Sequence, residues 1–168
     1  MTTTLAAGLP QAPNRVRILF VCLGNICRSP AAEGVMKQLV DQAGLNDRFL
    51  IDSAGMGDWH VGQLPDLRMR RCAAGHGYCL NSRARLFTDS DFTRFDYILA
   101  MDHNNFKQLL ARTWNSEQKK KIGMLADFMT RHPGRHTIPD PYYGEESDFE
   151  LVIELIEDAC QGLLQKLR

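Results

Sequence analysis

Arg17-Ile18-Leu19-Phe20-Val21-Cys22-Leu23-Gly24-Asn25-Ile26-Cys27-Arg28-Ser29-Pro30 is the stretch on which the fold turns. Residues 17–21 are an apolar run with β-branched and aromatic side chains, the pattern of a strand buried on both faces. A turn containing glycine follows. From Pro30 the apolar positions fall at helical spacing: Ala32, Val35, Met36, Leu39, Val40 and Ala43 share one face, and Gly44 is placed to end that helix.

Working outward, residues 49–51 read as a second strand. Residues 65–74 fit a helix with proline in its first turn and Gly75 just beyond its end. Residues 97–100 form a third strand, residues 104–114 a helix, and residues 122–125 a short fourth strand. Ser147-Asp148-Phe149-Glu150 has the S-x-x-E form of a capping box. Phe149, Val152, Ile153, Ile156, Cys160, Leu163 and Leu167 then align on one helix face. Strands alternating with helices imply right-handed βαβ units. The expected fold is therefore α/β: a flavodoxin-like three-layer sandwich with a four-stranded parallel sheet of order 2-1-3-4. Ligands of such sheets bind at the carboxyl ends of the strands where the order reverses, which points to residues 22–29.

Composition bounds the rest. A chain of 168 residues with 44% apolar content fits one domain with one core. Lys plus Arg and Asp plus Glu are both 20, a net charge of zero. That balance argues against bulk nucleic-acid binding and against disorder, so any anion site must be local. No apolar run approaches the ~20 residues of a membrane span. Residues 1–14 hold no Lys or Arg and include Pro10 and Pro13. They read as a flexible tail rather than a secretory signal, ahead of a domain at 15–168. The five cysteines are odd in number, include no C-x-x-C and have no zinc-finger spacing. They read as reduced thiols of a cytoplasmic protein.

The turn after the first strand has the form C-x5-R-S. Cys79 and Arg85 share that spacing but lack the strand before, the loop glycine and the helix after. Context therefore selects Cys22 and Arg28. Gly24 and Asn25 tolerate positive φ and let the loop curl with its N–H groups inward, forming an anion nest. The helix start adds its positive dipole end, and Arg28 adds a planar fork. Cys22 facing this cup is expected to have a thiol pKa below the usual ~8.5, with Ser29 in reach of the thiolate.

Residues 21–30 resemble the phosphate-binding loop of low-molecular-weight protein tyrosine phosphatases. Asp140-Pro141-Tyr142-Tyr143-Gly144 resembles that family's second signature. The similarity extends from about Arg17 to the C-terminus and includes Asp52-Ser53-Ala54, His76-Gly77 and Phe95-Asp96-Tyr97-Ile98-Leu99. The resemblance implies hydrolysis of protein phosphotyrosine and small aryl phosphates through a phosphocysteine intermediate. Cys22 is then the nucleophile, and Asp140, stiffened by Pro139 and Pro141, the general acid and later base. Leu23, Gly24, Asn25, Ile26, Cys27 and Ser29 bind phosphate with Arg28. Asn25 takes a left-handed conformation, with Ser53 and His76 hydrogen-bonded around it. Trp59, Tyr142 and Tyr143 form aromatic walls, and Cys27 is a redox partner that shields Cys22.

The resemblance calls for no cofactor and no metal. Its partners are phosphotyrosine-containing proteins or peptides, with inorganic phosphate as product, no nucleic acid and no membrane, and the protein itself is expected to be a monomer. Two relatives share the loop. Protein arginine phosphatases carry threonine where this chain has Ile26. Thioredoxin-coupled arsenate reductases need a cysteine relay after the third strand, where this chain reads Met101-Asp102-His103. Cys72 and Cys79 have a spacing suited to a relay but precede that strand.

Overall fold

The computed structural model describes residues 15–168, so the tail at 1–14 lies outside the described residues. Four strands, β1 (Val16–Cys22), β2 (Phe49–Gly55), β3 (Tyr97–Ala100) and β4 (Ile122–Met124), form one sheet of order β2-β1-β3-β4. All three pairings are parallel, with Phe20 opposite Ser53 and Val21 opposite both Ala54 and Ala100. This is the expected order, and it reverses at β1.

The helices are α1 (Arg28–Gln42), α2 (Leu67–Gly75), α3 (Asp91–Arg94), α4 (His103–Ala111), α5 (Ser116–Lys121) and α6 (Glu146–Leu167). The alternating side chains of β1 explain the layers. Ile18, Phe20 and Cys22 join a core with α1, α2 and α6. Leu19 and Val21 join a second core with Phe87, Phe92, Phe95 and Leu109 on the opposite face. A strand apolar on both sides needs both cores.

Several boundaries differ from the sequence reading. β2 runs four residues further, through Asp52 and Ser53, because both polar side chains find partners there. α2 is capped by Asp66, whose Oδ1 accepts the Arg68 N–H at 2.8 Å, so Pro65 precedes the helix. Gly75 is its last residue, and the left-handed glycine after it is Gly77 (φ 90°). α4 ends at Ala111. α6 begins earlier than the Ser147 motif implies: Glu145 is its N-cap, and Asp148 Oδ2 accepts the Glu145 N–H at 2.7 Å. The apolar face read for that helix is buried from Phe149 to Leu163. Among the described residues no helix is long and apolar enough to cross a membrane.

Candidate active site

The turn from Cys22 to Arg28 lies where the sheet order reverses. α1 starts at Arg28, two residues before Pro30, so Arg28 and Ser29 occupy its first turn. Backbone N–H groups there have no partner within the helix. Among the described non-glycine residues Asn25 alone has positive φ, at 57°. Gly24 is not left-handed; its value is space, since a Cβ there would lie 3.1 Å from the His60 ring. Gly55 lets the end of β2 pass under the loop, where a Cβ would meet Leu23 and Asn25 at 3.0–3.1 Å.

Asn25 is locked by every polar atom of its amide. Oδ1 accepts the Arg85 backbone N–H at 2.9 Å, and Nδ2 donates to Ser29 Oγ at 2.7 Å and Ser53 Oγ at 3.0 Å. Ser53 in turn donates to Glu33 Oε1 at 2.5 Å. With its proton committed to a carboxylate, Ser53 can only accept from Asn25. Ser29 also accepts from Asn25, and its single O–H lies within reach of both Cys22 Sγ at 2.9 Å and the Ala54 carbonyl at 3.4 Å.

His76 is not in this network, contrary to expectation. It follows α2 and bonds to α6: Nε2 lies 2.6 Å from Glu150 and Nδ1 3.1 Å from Glu157. The Glu150 hydrogen bond leads in raising its pKa above 6.5. The place around Asn25 belongs to the Arg85 backbone and, through Ser53, to Glu33. Neither is visible in a motif. Arg85, the arginine of the discarded spacing match, is held by Asp52 and Asp91 at 3.0 Å each.

Arg28 is 2% exposed. Its Nη1 donates to Asp102 Oδ2 at 2.7 Å and to the Ile138 carbonyl at 3.0 Å. Nη2 sits 3.6 Å from Asp140 Oδ2. Burial alone would lower the Arg28 pKa; Cys22, the Asp102 hydrogen bond and Asp140 outweigh it and raise it. With Nη1 consumed, the other guanidinium N–H groups remain for an anion. Asp102 also caps α4, its Oδ1 accepting the Asn105 N–H at 2.8 Å. The Ile138 N–H bonds to Met101 O at 2.8 Å, which ties the Asp140 loop to the end of β3.

Asp140 is half-exposed, and its Oδ1 accepts the Tyr142 N–H at 3.1 Å. A cavity of about 410 Å³ is lined by Cys22, Leu23, Gly24, Ile26, Cys27, Arg28, Trp59, His60, Asp140, Tyr142 and Tyr143. Asn25 and Ser29 stand behind it. The Tyr142 and Tyr143 rings meet edge to face at 4.9 Å, and Trp59 packs over Gly57, where a Cβ would overlap its ring. His60 also lines the cavity, although no motif in the sequence marks it. Burial pushes the Cys27 thiol pKa up, so Cys27 carries its proton in this cup.

The cup can bind a tetrahedral oxyanion against a sulfur nucleophile, with a carboxyl group opposite and aromatic walls around the remainder. The family model for low molecular weight phosphotyrosine protein phosphatase matches residues 17–168. A pig protein of that name is 42% identical, with 90% of this chain and 95% of that one aligned. Two solved structures share the fold. An Entamoeba histolytica protein tyrosine phosphatase with HEPES in its active site has TM-score 0.87 and 47% identity, covering 90% of this chain and 96% of that one. A Drosophila arginine phosphatase has TM-score 0.81 and 35% identity, covering 90% and 97%. With the fold, the loop and these likenesses in agreement, the chain belongs to the low molecular weight phosphotyrosine protein phosphatase family.

Proposed function

We propose that this protein hydrolyses phosphotyrosine in proteins and peptides, and small aryl phosphates, through a phosphocysteine intermediate. The observation that carries the reading is the meeting of Cys22, Arg28 and Asp140 in one aromatic-walled cavity. The Cys22 thiolate attacks phosphorus and the phenolate leaves. The loop N–H groups and the free side of Arg28 bind the three equatorial oxygens. Asp140, on the loop facing Cys22, protonates the leaving phenolate. It then takes a proton from the water that releases inorganic phosphate and regenerates Cys22. The Ser29 O–H, aimed by Asn25, stabilises the sulfur as leaving group in that second step.

The aromatic lining favours an aryl phosphate. Trp59, Tyr142 and Tyr143 offer ring surfaces, and Ile26 adds an apolar side chain where arginine phosphatases carry threonine. The Drosophila likeness keeps phosphoarginine as the second reading. Arsenate reduction has less support, because Cys72 and Cys79 do not line the cavity.

The deciding assay measures phosphate release from p-nitrophenyl phosphate, a phosphotyrosyl peptide and a phosphoarginyl peptide, for wild type and Cys22→Ser. Release from both aryl esters, abolished in the variant, is expected. Preference for phosphoarginine, or arsenate reduction without hydrolysis, overturns the reading.

A further inference from the structure

Outside the catalytic cavity, between α2 and α6, three chemically different metal-binding side chains converge. Cys72 and His76 are four residues apart on α2 and its C-cap, so they share a face. Glu150 and Glu157 are two turns apart on α6 and share the face that meets it. The ligand atoms of Cys72, His76 and Glu150 all lie within 4.8 Å of one another. His76 Nε2 is 2.6 Å from Glu150 Oε2, and Cys72 Sγ is 3.2 Å from Glu150 Oε1. Neighbouring ligands in a tetrahedral zinc site stand about 3.3–3.7 Å apart, given bonds of ~2.0–2.3 Å. Small side-chain rotations therefore suffice.

The groups behind the ligands are also in place. Glu157 Oε1 holds His76 Nδ1 at 3.1 Å, while Tyr78 OH donates to Glu157 Oε2 at 2.7 Å. A carboxylate on one imidazole nitrogen turns the other toward the cation and increases its basicity. Glu146 and Glu154 add negative charge around Cys72. The thiol is nearly buried, whereas the His76 and Glu150 side chains are 24% and 44% exposed. A cation can enter from solvent and keep a water as its fourth ligand.

We propose that Cys72, His76 and Glu150 form a binding site for a divalent transition-metal ion of the zinc class, with Glu157 orienting the histidine. One sulfur, one imidazole nitrogen and one carboxylate oxygen suit Zn2+ and disfavour Mg2+ or Ca2+, which prefer all-oxygen sets. Binding exchanges protons for metal: the thiol proton, and the proton shared between Nε2 and Glu150, leave to solvent. The bound ion clamps α2 to α6. α2 also reaches the phosphate loop through the Asp66 N–H on Ile26 O at 2.8 Å, and Arg68 lies over the Tyr142 and Phe149 rings. The site is thus a stabilising clamp beside the catalytic centre rather than part of it.

The test uses full-length protein carrying Cys22→Ser and Cys27→Ser, which removes the cavity thiols as competing ligands. Zn2+ titration is expected to give one equivalent bound with Kd of about 10 μM or tighter, and a raised thermal midpoint. Co2+ is expected to give a thiolate charge-transfer band. Adding Cys72→Ser should abolish that band, and Cys72→Ser or Glu150→Gln should weaken Zn2+ binding at least about tenfold. Glu150 is half-exposed, so Glu150→Gln retains the fold, checked by circular dichroism. Cys79→Ser should change nothing. Absence of saturable binding up to about 0.1 mM Zn2+, binding indifferent to both ligand variants, or loss on Cys79→Ser overturns the assignment.

Discussion

Asp102 holds Arg28 at 2.7 Å through one carboxylate oxygen and caps α4 with the other. One side chain thereby fixes both the Arg28 guanidinium and the helix after β3. Asp102→Asn retains an oxygen for the cap but loses the charged partner. Charge-assisted hydrogen bonds contribute about 1.5–3 kcal/mol, so kcat/KM on an aryl phosphate should fall about 10–100-fold. Asp102→Ala should lose a further ~0.5–2 kcal/mol of stability with the cap, measured by urea unfolding.

Asp140 sits on a half-exposed loop, so its removal should leave stability unchanged. Asp140→Ala should lower kcat on phosphotyrosine by ~10²–10⁴-fold, and less on p-nitrophenyl phosphate, whose leaving group needs less protonation. A loss under ten-fold on phosphotyrosine would count against the acid role.

The Asn25 amide and its left-handed backbone make separable contributions. Asn25→Gly keeps the conformation and loses the hydrogen bonds; Asn25→Ala loses both. Both should reduce kcat, and Ala should be the less stable by about 1 kcal/mol or more, read from denaturant midpoints. Glu33→Gln should lower kcat with little change in KM, because it acts through Ser53, Asn25 and Ser29 on the sulfur.

Cys27 shares the cavity with Cys22. Peroxide is expected to convert the Cys22 thiolate to a sulfenic acid, with which the Cys27 thiol would condense, releasing water and forming a disulfide. Wild type should recover activity with dithiothreitol after peroxide treatment, whereas Cys27→Ser should remain inactive. Equal recovery would remove the protective role.

Asp158, on α6, is fully buried. Burial raises its pKa, but the His132 hydrogen bond and the Thr130 and Arg131 N–H groups outweigh it and bring the value to about 2. A depressed folded pKa gives stability that is present above the unfolded value, near 4, and lost as pH falls toward 2. The advantage of wild type over Asp158→Asn should be about 2 kcal/mol at pH 7 and vanish across that window, followed by urea unfolding at each pH.

The limits of the sequence are visible residue by residue. Cys22 and Arg28 were legible as site residues because local spacing and turn chemistry mark them, whereas Asp140 and the left-handed Asn25 were marked by the family resemblance, turn chemistry alone allowing positive φ at Gly24 as well. His76 was misplaced: its sequence neighbours say nothing of the α6 glutamates that claim it. No motif marks Glu33, since only the register of Phe20 with Ser53 brings β2 under α1.

By itself the sequence determined the parallel α/β sheet, its strand order and the loop that holds the sulfur, because these follow from apolar periodicity and a contiguous motif. Tertiary structure alone decided how that loop is aimed. Arg28 is held by Asp102 and Ile138, 74 and 110 residues away, and the Ser29 hydroxyl beside Cys22 is positioned by a chain through Asn25, Ser53 and Glu33. Such contacts depend on strand register and helix packing. A hydrogen bond specifies its geometry only once both partners have been carried into place by the core.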